Sequence, residues 1–157
     1  MELSESIKTL NFVELLEFQP NRYPFLMIDF VTEYEPGVFA NGFKNLTNNE
    51  WFFPVHFQGA PNMPGALQLE AMAQMLTVAI TTLPGNKGKV THALSHKVRF
   101  RKEVFPGDCL RIETKVISWK RGVCKGVGKG FVKDELVCDA EMLITIPDIF
   151  EKYLPKK

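Results

Sequence analysis

Two spacings of apolar residues divide this chain. From Ala66 to Leu83 the chain is mostly apolar with a single charge and no Gly or Pro intervenes, which predicts one helix of about four or five turns. Pro64 stands where a first helical residue is favoured, because its missing N–H would be unpaired there anyway. From Val90 onward the period changes to two, the signature of half-buried strands. Leu94, His96, Val98 and Phe100 share one face, with Ser95, Lys97, Arg99 and Arg101 on the other. After a turn at Phe105-Pro106-Gly107-Asp108, Leu110, Ile112, Thr114 and Val116 oppose Arg111, Glu113 and Lys115. A glycine-rich strand, Val123–Val132, turns at Lys133-Asp134 into Leu136–Ile146, where Leu136, Cys138, Ala140, Met142, Ile144 and Ile146 point one way.

Upstream, Phe25–Tyr34 and Val38–Leu46 are strand-like runs joined by Glu35-Pro36-Gly37. Asn11–Glu17 makes a short helix with Asn as its cap, Phe18–Pro24 is irregular, and Pro84–Lys89 breaks the long helix. Successive hairpins need no crossover helices, so the sheet is expected to be largely antiparallel with one apolar face. The long helix must cover that face. The class is therefore α+β, a curved sheet wrapped around one central helix.

Composition narrows the function classes. The chain has 157 residues, read as a single domain over 1–157, with 45% apolar and 24% charged residues, as in an ordinary globular protein. A net charge of +1 lacks the basic excess of a nucleic-acid binder. The start, MELSESIKTLNFVELLEF, has neither a basic n-region nor a continuous apolar stretch and does not read as a signal peptide. Cys109, Cys124 and Cys138 are an odd number without CxxC spacing, which disfavours structural zinc and a disulfide framework and predicts a cytoplasmic location. Gln68, Glu70 and Gln74 interrupt the long helix, so it reads as a core helix and not as a membrane span.

Glu70, the one charge in that helix, and His56, in the Pro/Gly-rich stretch before it, are the residues that could carry chemistry. The helix N-terminus between them offers free N–H groups, including that of Gly65, to an oxygen becoming negative. An imidazole, a carboxylate and an oxyanion site are what proton abstraction next to a carbonyl requires. A plainer reading stands beside this one. Glu70, Gln74, Thr77 and Thr81 could form a thin solvent-facing stripe, and His56 could be a satisfied loop histidine. Gly126, Gly128 and Gly130 lack the phosphate-loop pattern and suit close helix contact. His92 and His96 have a metal-like spacing, but in a strand and without a third ligand. Lys97, Arg99 and Arg101 form a short basic face, either solvated or docked on an acidic partner.

The stretch HFQGAPNMPGALQLEAMAQ resembles the 3-hydroxyacyl-[acyl carrier protein] dehydratases of the FabZ type, hot-dog fold enzymes of fatty-acid elongation. The likeness extends to Arg22–Asp29, Lys44-Asn45-Leu46 and Val98–Phe100 through Pro106-Gly107-Asp108, and so covers most of the chain. The resemblance implies His56 as catalytic histidine, Glu70 as catalytic acid and Gly65 as the donor to the thioester carbonyl. It also implies no cofactor, an acyl carrier protein partner, and a homodimer or a trimer of dimers with the acyl tunnel across the dimer interface; because the carrier protein is acidic, the basic face of Lys97, Arg99 and Arg101 is the expected docking surface. Glu70 in place of Asp separates the chain from related dehydratase–isomerases. A non-catalytic acyl-carrier binding module and a hot-dog thioesterase using Glu70 to activate water are the alternatives. Val55-His56-Phe57-Gln58-Gly59 departs from the usual Gly-His-Phe-Pro-Gly. If that first glycine needs positive φ, Val55 forces the loop to be rebuilt. Asn21, Thr91 and His92 are further departures, bearing on rate and chain length.

Overall fold

The computed structural model describes residues 7–156; residues 1–6, the first part of the start discussed above, lie outside it. The elements in order are helix α1 (Phe12–Phe18), strands β1 (Phe30–Glu35) and β2 (Phe39–Asn45), helices α2 (Phe53–His56) and α3 (Gly65–Thr81), strands β3 (His92–Phe100), β4 (Cys109–Lys120), β5 (Val123–Val132) and β6 (Glu135–Thr145), and helix α4 (Pro147–Phe150). The six strands form one antiparallel sheet in the order β1-β2-β4-β5-β6-β3, bent around α3. The expected α+β class is what is observed.

Why α3 occupies the centre follows from its sequence. With no charge after Glu70, every residue from Ala71 to Thr81 is buried, the few polar ones, Gln74, Thr77 and Thr81, included. Its floor is the glycine ladder of β5. A Cβ at Gly126 would stand 2.5 Å from Leu76 Cδ2, and one at Gly128 2.9 Å from Met142 Cε and 3.2 Å from Met72 Cβ. The glycines thus let helix and sheet approach by the thickness of a methyl group, as the alternation suggested. Asn86, buried, closes the other end by donating Nδ2 to Ile80 O at 3.0 Å. The hairpin turns are equally local in origin: Lys133 (φ 49°) and Asp134 (φ 63°) give the two left-handed residues a tight hairpin requires.

Several boundaries differ from expectation. The first strand begins at Phe30, because Phe25 and Leu26 bond back to Arg22 O and so cannot join the ladder. Pro64 caps α3 (φ −52°, ψ 134°), leaving Gly65 as its first residue, and the helix ends at Thr81. The stretch read as a loop contains α2. Most consequential, β3 and β4 are not neighbours. β4 pairs with β2 and β5, so β3 finds its only partner among the described residues in β6, at the far edge. The connection 101–108 is accordingly no hairpin turn; it passes beside the start of α3, where Met63 N donates to Val104 O at 2.8 Å. The helix leaves β3 largely uncovered: Leu94 and Phe100 are each 47% exposed.

Candidate active site

His56 is delivered by a segment anchored from both sides. Lys44, buried at the end of β2, donates Nζ to Glu50 Oε1 at 2.7 Å and to Asn45 O at 2.8 Å, with Asp29 Oδ2 at 3.4 Å. Phe52 and Phe53, both buried, then fix α2, whose last residue is the half-buried His56. Its Nδ1 lies 3.0 Å from Asn62 O. A carbonyl oxygen can only accept, so Nδ1 carries the hydrogen and the Nε2 lone pair is free to take a proton. The expected strain at Val55 does not arise: it sits inside α2, and the positive φ falls on Gly59 (φ 76°).

At the start of α3, Pro64 O accepts from both Leu67 N (2.9 Å) and Gln68 N (3.1 Å). The N–H of Gly65 has no acceptor among the described residues and points out of the helix end. A side chain at this position would come 2.9 Å from the Phe100 ring, so glycine is what lets the ring of β3 close over the helix terminus. Here a cleft of about 340 Å³ opens, lined by His56, Asn62, Gly65, Gln68, Phe100 and Glu103 among others. One chain therefore brings the imidazole and the free N–H together. Glu70 is not among the residues of that cleft.

The stripe Glu70, Gln74, Thr77, Thr81 does not face solvent. Gln74, Thr77 and Thr81 are buried, and the segment before β1 bonds to the first two. Gln74 accepts from Met27 N at 2.7 Å and donates to Phe25 O and to Glu70 Oε1, both at 2.9 Å. Gln19 Nε2 donates to Thr77 Oγ1 at 2.9 Å. Glu70, half-buried, thus has one carboxylate oxygen held by its neighbour one turn on and the other unclaimed. Gln74 and Asn62, which place the two candidate groups, were not singled out from the sequence. Gln74 could have been, as a buried amide in an otherwise apolar helix; Asn62 acts through its backbone oxygen, which leaves no trace in residue type.

Other candidates carry less. Lys97, Arg99 and Arg101 are exposed as expected, but Arg101 Nε donates to Asp139 Oδ2 at 2.7 Å. Lys97 and Arg99 lie across from Glu141 and Asp139 of β6. No group of His, Cys, Asp or Glu suited to a metal exists among the described residues. Burial pushes the thiols of Cys124 and Cys138 up, to about 12 and about 11, and Cys109 up as well, with Asp29 adding to the rise. No described helix is long and apolar enough to cross a membrane.

Residues 19–141 match the model of the FabA-like domain. The chain belongs to this family. Among curated members it is 46% identical over 133 residues to the 3-hydroxyacyl-[acyl-carrier-protein] dehydratase FabZ of Moorella thermoacetica, covering 84% of this chain and 93% of the relative. It is 48% identical over 133 residues to the FabZ protein of Caldicellulosiruptor saccharolyticus, covering 84% and 95%. Within the family the chain is thus of the FabZ type. Among solved structures, the dehydratase heterocomplex ApeI:P from Xenorhabdus doucetiae superposes with a TM-score of 0.74 over 90% of this chain and 97% of that one, at 13% identity. A match at that identity establishes a shared fold, here the hot-dog arrangement.

Proposed function

We propose that this protein removes water from 3-hydroxyacyl thioesters of acyl carrier protein, giving the trans-2-enoyl thioester in fatty-acid biosynthesis. The observation that carries the site assignment is the His56 imidazole, its Nδ1 held by Asn62 O, in one cleft with the unclaimed N–H of Gly65. The C2 proton of a thioester becomes acidic only as negative charge on the carbonyl oxygen is stabilised. The Gly65 N–H, at the positive end of α3, supplies that stabilisation. His56 Nε2 takes the proton, and the C2–H electron pair forms the C2=C3 bond. The C3–O bond breaks, and Glu70 protonates the departing hydroxyl to give water. The reaction so written needs no cofactor.

We place Glu70 in the cleft of a partner subunit. Support comes from its absence from the cleft of its own chain and from the bare edge of β3, which an equivalent strand of a second copy can pair with. The acidic carrier protein then docks on Lys97, Arg99 and Arg101, with Lys97 and Arg99 contributing more than the ion-paired Arg101.

Product analysis on a defined 3-hydroxyacyl carrier-protein substrate is the test. The enoyl thioester supports the assignment; a free acid or unchanged substrate overturns it. His56→Ala should lower turnover at least about a hundredfold with the fold intact, the usual size of an acid–base contribution. Glu70→Gln should dehydrate slowly while still binding substrate. After subunit exchange, mixed His56→Ala and Glu70→Ala chains should recover roughly a quarter of wild-type activity, since half the dimers are hybrids with one intact site of two. Exchange without recovery refutes the shared site.

A further inference from the structure

We infer that Glu103 is a positioning residue for His56, acting through Asn62; the inference rests on His56 being the base. The link is continuous. Glu103 Oε1 accepts from Asn62 Nδ2 at 3.1 Å, and the backbone oxygen of the same Asn62 accepts from His56 Nδ1 at 3.0 Å. The Asn62 oxygen shares its peptide plane with Met63 N, which donates to Val104 O at 2.8 Å, and the side-chain bond to Glu103 holds the same residue to the segment after β3, so the two together set the direction of the carbonyl that fixes the tautomer of the imidazole.

The loop needs such an anchor. From Phe57 through Pro64 two residues, Pro61 and Pro64, are prolines without an N–H, and the loop's one internal backbone bond among those described is Ala60 N to Phe57 O at 3.2 Å. What ties it down is the segment after β3, through Met63 N to Val104 O and through Asn62 to Glu103, together with Gln68 Nε2 of α3, which donates to Met63 O at 3.2 Å. The Glu103 carboxylate is free for this role because the neighbouring cations are engaged elsewhere: Arg101 with Asp139 and Lys102 with Glu135. Glu103 also lines the cleft beside His56. An exposed amide–carboxylate bond contributes modestly to stability, so loss of the latch should be felt in the rate of proton transfer more than in folding.

The test compares Glu103→Ala and Asn62→Ala with the wild-type full chain on a 3-hydroxyacyl carrier-protein substrate. Each should lower kcat by about three- to tenfold, with KM within about twofold and the melting temperature little changed. Asn62→Asp sets two carboxylates against each other and should be at least as slow. Adding Glu103→Gln to Asn62→Asp restores a donor–acceptor pair with its direction reversed, and should recover most of the lost kcat. Nitrogen NMR of the His56 ring provides a readout independent of turnover: the Nδ1–H tautomer should dominate in the wild type and in the reversed pair, and mix with the Nε2–H form in the alanine variants. Unchanged kcat and tautomer in the alanine variants, or no recovery in the reversed pair, would overturn the latch. A tautomer that responds as stated while His56→Ala keeps full turnover would sustain the latch and remove the assignment of His56 as base.

Discussion

Replacing Gln74 by leucine tests whether the buried amide holds the site together. The side chain is 2% exposed and makes three bonds, to Met27 N, Phe25 O and Glu70 Oε1. Leucine has nearly the same volume and none of the partners. The Met27 N–H, on a residue 1% exposed, is then buried without an acceptor, which costs about 1–3 kcal/mol. Phe25 O lies on a residue 45% exposed and is rehydrated in part, adding about 0.5–1.5 kcal/mol. The total of about 1.5–4.5 kcal/mol corresponds to a fall in Tm of roughly 3–18 °C for a chain of this size. Turnover measured well below Tm should also fall, with KM little changed, because the carboxylate of Glu70 loses the donor that fixes its rotamer. Urea unfolding with an unchanged slope checks that the folded state has stayed compact. A Tm within about 2 °C of wild type together with normal kcat would refute this account. Gln74 would then be a volume filler and the placement of Glu70 would have another cause.

Lys44→Met should destabilise by up to about 3 kcal/mol, read as a lower urea midpoint, since it strands Glu50 and Asp29 next to an apolar side chain; Glu50→Gln, which keeps an acceptor, should cost less. Reversing the charges of Lys97 and Arg99 should raise KM for carrier-protein substrates and leave short thioester analogues little affected, with the difference shrinking in high salt; equal losses on both would place the charges in the site or the fold instead. With the Cys124 and Cys138 thiols raised to about 12 and about 11 and Cys109 raised too, thiol reagents at pH 8 should label Cys109 first and slowly, and the other two only on unfolding. Because folding keeps the two buried thiols protonated, the stability tied to them is complete below the ordinary thiol range and is lost as pH rises toward 11 and 12.

What the sequence made legible is what local pattern controls. The unbroken apolar run of α3, the alternation in β4 and β6, and the left-handed turn at Lys133-Asp134 each depend on near neighbours, and each stands close to its expected place. The pairing of β3 with β6 instead of β4 was hidden, because strand order depends on which edges remain free after the other strands have paired. The same long-range choice sends the segment 101–108 past the start of α3 and brings Glu103 to Asn62, a contact between residues 41 positions apart. The solvent-facing alternative for the stripe on α3 fails for a related reason: polar residues at helical spacing look alike whether they meet water or a layer of protein, and here Gln19 and Met27 bond to Thr77 and Gln74. In the site, the spacing of His56, Gly65 and Glu70 was visible, whereas the backbone oxygen that orients the imidazole had no residue type to announce it.

The glycines of β5 also restrict how this sequence can drift. At Gly126 a methyl group would meet not only Leu76 but also the backbone oxygen of Lys115 at 3.0 Å, so no single change on the helix makes room for it. At Gly128 the nearest atom is Met142 Cε at 2.9 Å, the far end of a flexible side chain that can step aside, and Met72 Cβ at 3.2 Å need give by only a few tenths of an ångström. Substitutions should therefore accumulate first at position 128, and at 126 only after the strand pairing itself has shifted. Lifting α3 off its floor would carry Gly65 and the cleft wall with it, so a strand that touches no substrate limits how fast the far end of the helix can evolve.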